Sequence, residues 1–210
     1  MNKIDQADAF EWLPEHKHLK AALVTSLPDA DELSMEPDEW ESWFMAAIGA
    51  CFSAAGAPAV FYQTDRKANR RLYSKAAMLF EEAERFGWYP LWHKIAYRVE
   101  PGNVSLYRPA YSHLIAFSPN DKFGPGRATP DVIDRGITWH SNGAGVNAAR
   151  LAMIYLISLK VPILNPFCGK GTFIVAGQSE GVDIYACDLD EECVRHATIA
   201  VEPRQATLPT

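Results

Sequence analysis

Residues 162–172 read Pro-Ile-Leu-Asn-Pro-Phe-Cys-Gly-Lys-Gly-Thr, an apolar strand that runs into a Gly-x-Gly turn and opens a helix. Glycine at such a turn lets a ligand approach the backbone closely, and the helix start that follows points amide donors at it. Asp188 lies nineteen residues beyond Gly169, at the end of the next apolar run. In a doubly wound α/β fold a carboxylate placed there accepts hydrogen bonds from a ribose. The unit therefore predicts a nucleoside pocket on an α/β sheet.

The rest of the chain alternates strand-like and helix-like pieces, the pattern of a sheet covered on both faces. Strands are predicted at 19–25, 59–64, 89–98, 113–118, 162–165 and 183–187. Trp40, Trp43, Phe44, Ala47, Ile48, Cys51 and Phe52 recur at helical spacing, so 40–55 reads as an amphipathic helix that Gly56 and Pro58 end. A second helix runs from Ser74, a good cap, to Gly87, a good stop. A third runs over 143–159, capped by Asn142 and apolar enough to be buried. No helix separates 89–98 from 113–118, so these form an antiparallel hairpin. The Pro- and Gly-containing stretch 120–134 reads as a flexible linker. At 210 residues and 48% hydrophobic, the chain makes one domain.

Two common nucleotide loops do not fit. A Walker loop needs Lys directly before Ser or Thr, and Gly171 separates Lys170 from Thr172; a dinucleotide fingerprint needs a third glycine where Ile174 stands. Asn165-Pro166-Phe167-Cys168-Gly169-Lys170-Gly171-Thr172 instead resembles motif I of S-adenosylmethionine-dependent methyltransferases, in the Asp-Pro-Phe-Cys-Gly-x-Gly-Thr form of nucleic-acid amino-methyltransferases, with Asn165 in place of the usual Asp. Asp188-Leu189-Asp190, with Val194 and Ala197, is similar to the segment that follows in that family. The resemblance implies a Rossmann-like methyltransferase sheet of about seven strands with a terminal antiparallel hairpin. It also implies S-adenosyl-L-methionine as cofactor, held by this loop, with Asp188 on the ribose hydroxyls and Leu189 beside it.

In that family motif I comes early, whereas here it comes late. Gln6-Ala7-Asp8-Ala9-Phe10 looks like the family's adenine-contacting segment, which places Asp8 and Ala9 on the cofactor. Ser26-Leu27-Pro28-Asp29 sits where the catalytic motif IV belongs. Trp139-His140-Ser141-Asn142-Gly143, before the helix that precedes motif I, would meet the methionine carboxylate through Asn142 and Gly143. The resemblance thus implies a circularly permuted domain, with a catalytic half at 1–118, a linker at 119–141 and a cofactor half at 142–203. Motif IV holds the acceptor in line with the sulfonium. Ser26 and Pro28 keep its pattern; Leu27 and Asp29 break it, and the aromatic that stacks on a flipped base is missing. Asp29 is then the group that orients or deprotonates the acceptor.

Arg66, Lys67, Arg70, Arg71 and Lys75 place five cations within ten residues at the predicted catalytic edge, with Arg108 on a neighbouring loop. They read as phosphate contacts, with a solvated loop and helix start as the plain alternative. A net charge of −6 argues against a protein coated in basic surface for gripping duplex DNA unaided. The expected partner is a nucleic acid, RNA before DNA, read by edge loops, a partner subunit or a homodimer. The alternative is a catalytically silent, cofactor-binding subunit of a methyltransferase complex. Four cysteines without C-x-x-C spacing read as reduced thiols, no metal site is expected, and the absence of a long apolar run or export signal implies a cytoplasmic protein without a membrane span. Trp40, Trp43 and Trp92 read as core, His93 and His113 as satisfied structural groups, and Cys168 and Cys187 as packing residues.

Overall fold

The computed structural model describes residues 2–106, 108–140, 143–178 and 181–202. Its strands are β1 (Asn2–Gln6), β2 (Ala22–Thr25), β3 (Ala59–Gln63), β4 (Arg66–Ala68), β5 (Arg71–Tyr73), β6 (Tyr89–Tyr97), β7 (Tyr111–Ser118), β8 (Val132–Asp134), β9 (Ile163–Asn165) and β10 (Ile184–Asp188). Its α-helices are α1 (Ala9–His16), α2 (Ala30–Leu33), α3 (Pro37–Ala54), α4 (Lys75–Arg85), α5 (Val146–Ser158), α6 (Thr172–Gly177) and α7 (Glu191–Val201). Eight strands form one sheet in the order β1-β10-β9-β2-β3-β7-β6-β8, and β4 and β5 form a separate hairpin.

Side chains on a strand alternate between the two faces, and this sequence uses the alternation to build two cores. Leu23, Phe61, Ile115, Phe117 and Leu164 join Trp12, Trp40, Phe44 and Leu79 from α1, α3 and α4 on one face. Val24, Val60, Tyr62, Leu114 and Ile163 join Ala148, Met153, Ile174 and Ala197 from α5, α6 and α7 on the other. Strands buried on both faces read as nearly continuous apolar runs, which is why β2, β3 and β7 are legible in the sequence. β6 and β7 form the predicted antiparallel pair, with a bulge between Pro90 and Trp92.

β1, β10, β9, β2 and β3 run parallel, so their carboxyl ends share one edge. β9 lies between β10 and β2, paired Ile163 to Ala22 and Leu164 to Leu23. The first and last thirds of the chain thus meet in the middle of the sheet. At that junction the Thr25 hydroxyl donates to the Pro166 carbonyl at 2.5 Å.

Four local expectations are corrected. β1 and α1 were not foreseen: Asn-Lys-Ile-Asp-Gln has no apolar alternation, and it becomes a strand by pairing along its whole length with β10. The stretch 120–134 is not slack. It carries β8, parallel to β6, and Lys94 Nζ pins it by donating to the carbonyls of Thr129 (3.0 Å) and Pro130 (3.2 Å) while pairing with Asp131. The basic stretch is not a plain loop: Arg66, Lys67, Arg70 and Arg71 lie on the β4–β5 hairpin, turned by Asn69 and Arg70, both at positive φ, and only Lys75 stands at a helix start, that of α4. Finally, α5 begins at Val146, later than expected, with Gly145 as its N-cap. A Cβ at Gly145 would stand 2.0 Å from the Arg135 carbonyl oxygen, so only glycine lets this helix start dock on the strand beside it.

Candidate active site

Ligands of an open α/β sheet gather at the carboxyl ends of its parallel strands, and here that edge holds a cavity of about 770 Å³. The ends of β1, β2, β9 and β10 supply its lining. Of the residues the sequence assigned to a cofactor, Asp8, Ala9, Gly143, Phe167, Cys168, Gly169, Thr172, Asp188 and Leu189 line it. They come from three distant parts of the chain. Asn142 lies outside the described residues.

The turn after β9 is shaped by Phe167 (φ 54), Gly169 (φ 53) and Gly171 (φ 84). At Gly169 a Cβ would point into open space within the cavity, so the glycine keeps the cradle clear. Its amide donates to Asp188 Oδ2 at 2.7 Å, and the Asp190 amide donates to Oδ1 at 3.0 Å. Burial pushes the Asp188 carboxyl above its ordinary range, against the pull of these amides. Asp8 caps α1, accepting from the Phe10 amide at 2.8 Å, and so fixes the start of that helix against the cavity.

Asn165, Pro166 and Gly171 support this site from behind instead of lining it. Asn165 is fully buried at the end of β9, and among the described residues neither polar atom of its amide has a partner. Pro166 receives the Thr25 hydroxyl, and Gly171 opens α6 against Ala197. Cys51, Cys168, Cys187 and Cys193 are free thiols, and burial pushes Cys187 up to about 12, which leaves it a packing residue.

One wall was misread from sequence. Trp40 is core, with no exposed surface, but Trp43 faces the cavity and meets Phe10 (6.1 Å) and Phe167 (5.7 Å) edge to face. Both tryptophans fit the same helical stripe, so periodicity could not separate them. The three rings make an apolar wall suited to a planar heterocycle.

Ser26 and Pro28 also line the large cavity, but Asp29 does not. It borders a smaller polar chamber of about 50 Å³ that shares Ser26, Leu27, Glu32 and Gly143 with it. Asp29 pairs with Lys75 Nζ at 2.5 Å and N-caps α2, its amide donating to Glu32 Oε2 at 2.7 Å. Asp29, expected to orient or deprotonate the acceptor, thus has its carboxylate paired with Lys75 and borders the small chamber. Lys75 is no surface phosphate contact. It is buried, hydrogen-bonded to Gln63 and packed over Trp40 and Phe44. Burial lowers its ammonium below the ordinary lysine range, with Asp29 opposing.

Of the other cations, Arg66 is held by Asp31 at 2.8 Å, and Lys67, Arg70 and Arg71 are exposed on the β4–β5 hairpin. Arg108 borders the small chamber together with Arg98 and Arg135, which sequence reasoning missed although Arg98 directly follows β6. His93, His113 and Asp65 form a hydrogen-bonded line, 2.8 Å and 3.1 Å, as the structural reading of both histidines expected.

No protein-family model matches the sequence. No curated protein matches it either. Solved structures do. The fold is that of DNA methylases: TTHA0409 from Thermus thermophilus, a candidate DNA modification methylase, superposes with a TM-score of 0.76 at 15% identity over 96% of this chain and 95% of that one. The complex of M1.HpyAVI with SAM gives 0.67 at 14% identity, covering 97% and 100%. The cytosine-N4-specific PvuII DNA methyltransferase gives 0.67 at 12% identity, covering 97% and 87%.

Proposed function

We propose that this chain is an S-adenosyl-L-methionine-dependent methyltransferase acting on a nucleic acid. The observation that carries the reading is the convergence of Asp188, the open Gly169 turn and Asp8 on one large cavity at the topological switch of the sheet. The residues fit the cofactor: Asp188 would hold the ribose, the wall of Phe10, Trp43 and Phe167 the adenine, and the segment reaching Gly143 the methionine end. At Gly169 a Cβ would meet nothing within 4 Å, so the turn leaves room at the cavity for the cofactor beside the Asp188 carboxylate. When bound, the cofactor supplies a methyl group on a positively charged sulfur. Ser26, which borders both cavities, accepts from an acceptor N–H and orients it, while the pair of buried Lys75 and half-buried Asp29 holds the motif IV turn in shape.

The sheet order supports a circular permutation, since β9 with its motif I turn lies beside β2 with motif IV, while β1 extends the same edge from the opposite terminus. On this reading 1–118 and 142–203 are two halves of one domain. DNA takes precedence over RNA as substrate, because the similar solved structures are named as DNA methylases. The β4–β5 hairpin, with Lys67, Arg70 and Arg71 exposed, and the 99–110 loop then face the polynucleotide. Among the described residues no helix is long and apolar enough to cross a membrane. A cytoplasmic setting and a partner subunit or homodimer belong to the same proposal.

A silent, cofactor-binding subunit remains the second reading, favoured by the carboxylate of Asp29 standing, already paired, where the stacking aromatic belongs. Titration with S-adenosyl-L-methionine, followed by labelled-methyl transfer onto DNA, RNA and protein, separates the two. Binding with transfer onto nucleic acid supports the enzyme; binding without any transfer supports the silent subunit.

A further inference from the structure

We propose that Arg98, Arg108 and Arg135 form an anion subsite that holds a backbone phosphate of the polynucleotide acceptor beside the transfer site. This rests on the nucleic-acid reading above and goes beyond it by naming where one phosphate sits. The three guanidinium groups border the small chamber and come from three separate places: the end of β6, the 99–110 loop and the residue after β8. The chamber adjoins the large cavity through Ser26 and Gly143, so a group held there lies next to the acceptor. Its volume of about 50 Å³ admits a compact group of a few heavy atoms, not a nucleobase.

Charge is what makes the arrangement informative. Among the described residues, none of the three side chains makes an ion pair or a side-chain hydrogen bond, and Arg98 Nε is buried with no partner. The same chamber holds the carboxylates of Asp29, paired with Lys75, and Glu32, hydrogen-bonded to the Asp29 amide, so Arg98, Arg108, Arg135 and Lys75 outnumber the carboxylates around it. A chain of net charge −6 thus concentrates an excess of positive charge at one point of its edge. Packing like charges together costs stability, and burial together with Arg135 and Arg108 draws the Arg98 guanidinium below its ordinary range. A tetrahedral oxyanion would relieve this, because planar guanidinium forks match phosphate oxygens.

The backbone fixes where two of the three side chains leave the chain. The Arg98 amide donates to the Ala110 carbonyl (2.6 Å) and the Arg135 amide to the Tyr97 carbonyl (3.1 Å). The Arg135 carbonyl accepts from the Asn147 amide at 3.0 Å, which ties it to the start of α5. Such rigid anchoring suits recognition at low entropic cost. The exposed cations of the β4–β5 hairpin have no comparable anchoring around a cavity.

The test measures fluorescence anisotropy of a labelled 16-mer, as single- and double-stranded DNA and as RNA, over a range of salt, with S-adenosylhomocysteine saturating. Wild type is compared with Arg108→Gln, whose side chain is exposed and outside the core, and with Arg98→Gln/Arg108→Gln. Cofactor affinity in each variant checks that the fold is intact, and inorganic phosphate serves as competitor. The proposal expects the double variant to bind about tenfold more weakly or worse. The slope of log affinity against log salt should fall by about one, with Arg108→Gln between. Polynucleotide bound equally by all three proteins overturns the subsite alone. Wild type that binds inorganic phosphate but no polynucleotide overturns the proposal together with the nucleic-acid reading. Binding of neither overturns both as well.

Discussion

Asp188 illustrates how much one side chain can be asked to do. Its two oxygens already accept the Gly169 and Asp190 amides, so the same carboxylate shapes the turn and presents its remaining acceptor capacity to the cavity. Asp188→Ala is expected to weaken S-adenosylhomocysteine binding by roughly tenfold to a hundredfold, the worth of hydrogen bonds to a charged group, as read by calorimetry. Because burial holds the Asp188 carboxyl above its ordinary range, cofactor affinity should begin to fall on acidification at a higher pH than an exposed aspartate would give. An affinity flat down to the ordinary aspartate range would contradict that. Lys75 makes the complementary point. Lys75→Met strips the partner from Asp29 and should cost about 3 kcal/mol in denaturant unfolding, whereas Lys75→Met with Asp29→Leu should recover much of it. A double variant that loses the sum of what Lys75→Met and Asp29→Leu lose separately would mean the pair contributes no coupling.

At the scale of elements, acidification should loosen the β3–β7–β6 side of the sheet. Burial raises the Asp65 carboxyl, but the His113 hydrogen bond and charge and the Lys75 and Ala76 amides outweigh it and hold the group below its ordinary 3.8. Its contribution is therefore present above that value and is lost as pH falls through the lower folded one. Burial and then the charge of His113 hold His93 below 6.5, so below that pH the unfolded chain takes up the proton first and stability drops. The melting temperature should thus start to fall below about pH 6.5, and His93→Phe should shrink that first decline, to which His140, also held below 6.5, contributes, while leaving the one at lower pH. A melting temperature with the same pH profile in the variant would remove the histidine from the account. Elements such as β2, β3 and β7 were legible because burial on both faces writes an apolar run into the sequence. β1 and β8 were not: one is polar and the other sits in a Pro- and Gly-rich stretch, and each becomes a strand through a neighbour far away in sequence. Tight docking, too, is invisible until the partner is placed. Gly145→Ala, harmless on local propensity, should destabilise by about 1–3 kcal/mol because its Cβ meets the Arg135 carbonyl.

For the whole molecule, the motif I turn and Asp188 were readable because both lie within one strand-turn-helix-strand unit, whose spacing alone places them together. Arg98 and Arg135, and the commitment of Asp29 to Lys75, were not readable, since each depends on strands brought together by a sheet that joins both ends of the chain. A ligand seated at that junction ties the first and last thirds together, so saturation at a hundredfold excess over Kd should raise the melting temperature by roughly 5–10 °C. The most direct measurement is a calorimetric titration of the wild type and Asp188→Ala with S-adenosylhomocysteine. The account predicts one molecule bound per wild-type chain and a markedly weaker variant; no binding by the wild type, or equal affinity in the two, would contradict the assignment of the cavity.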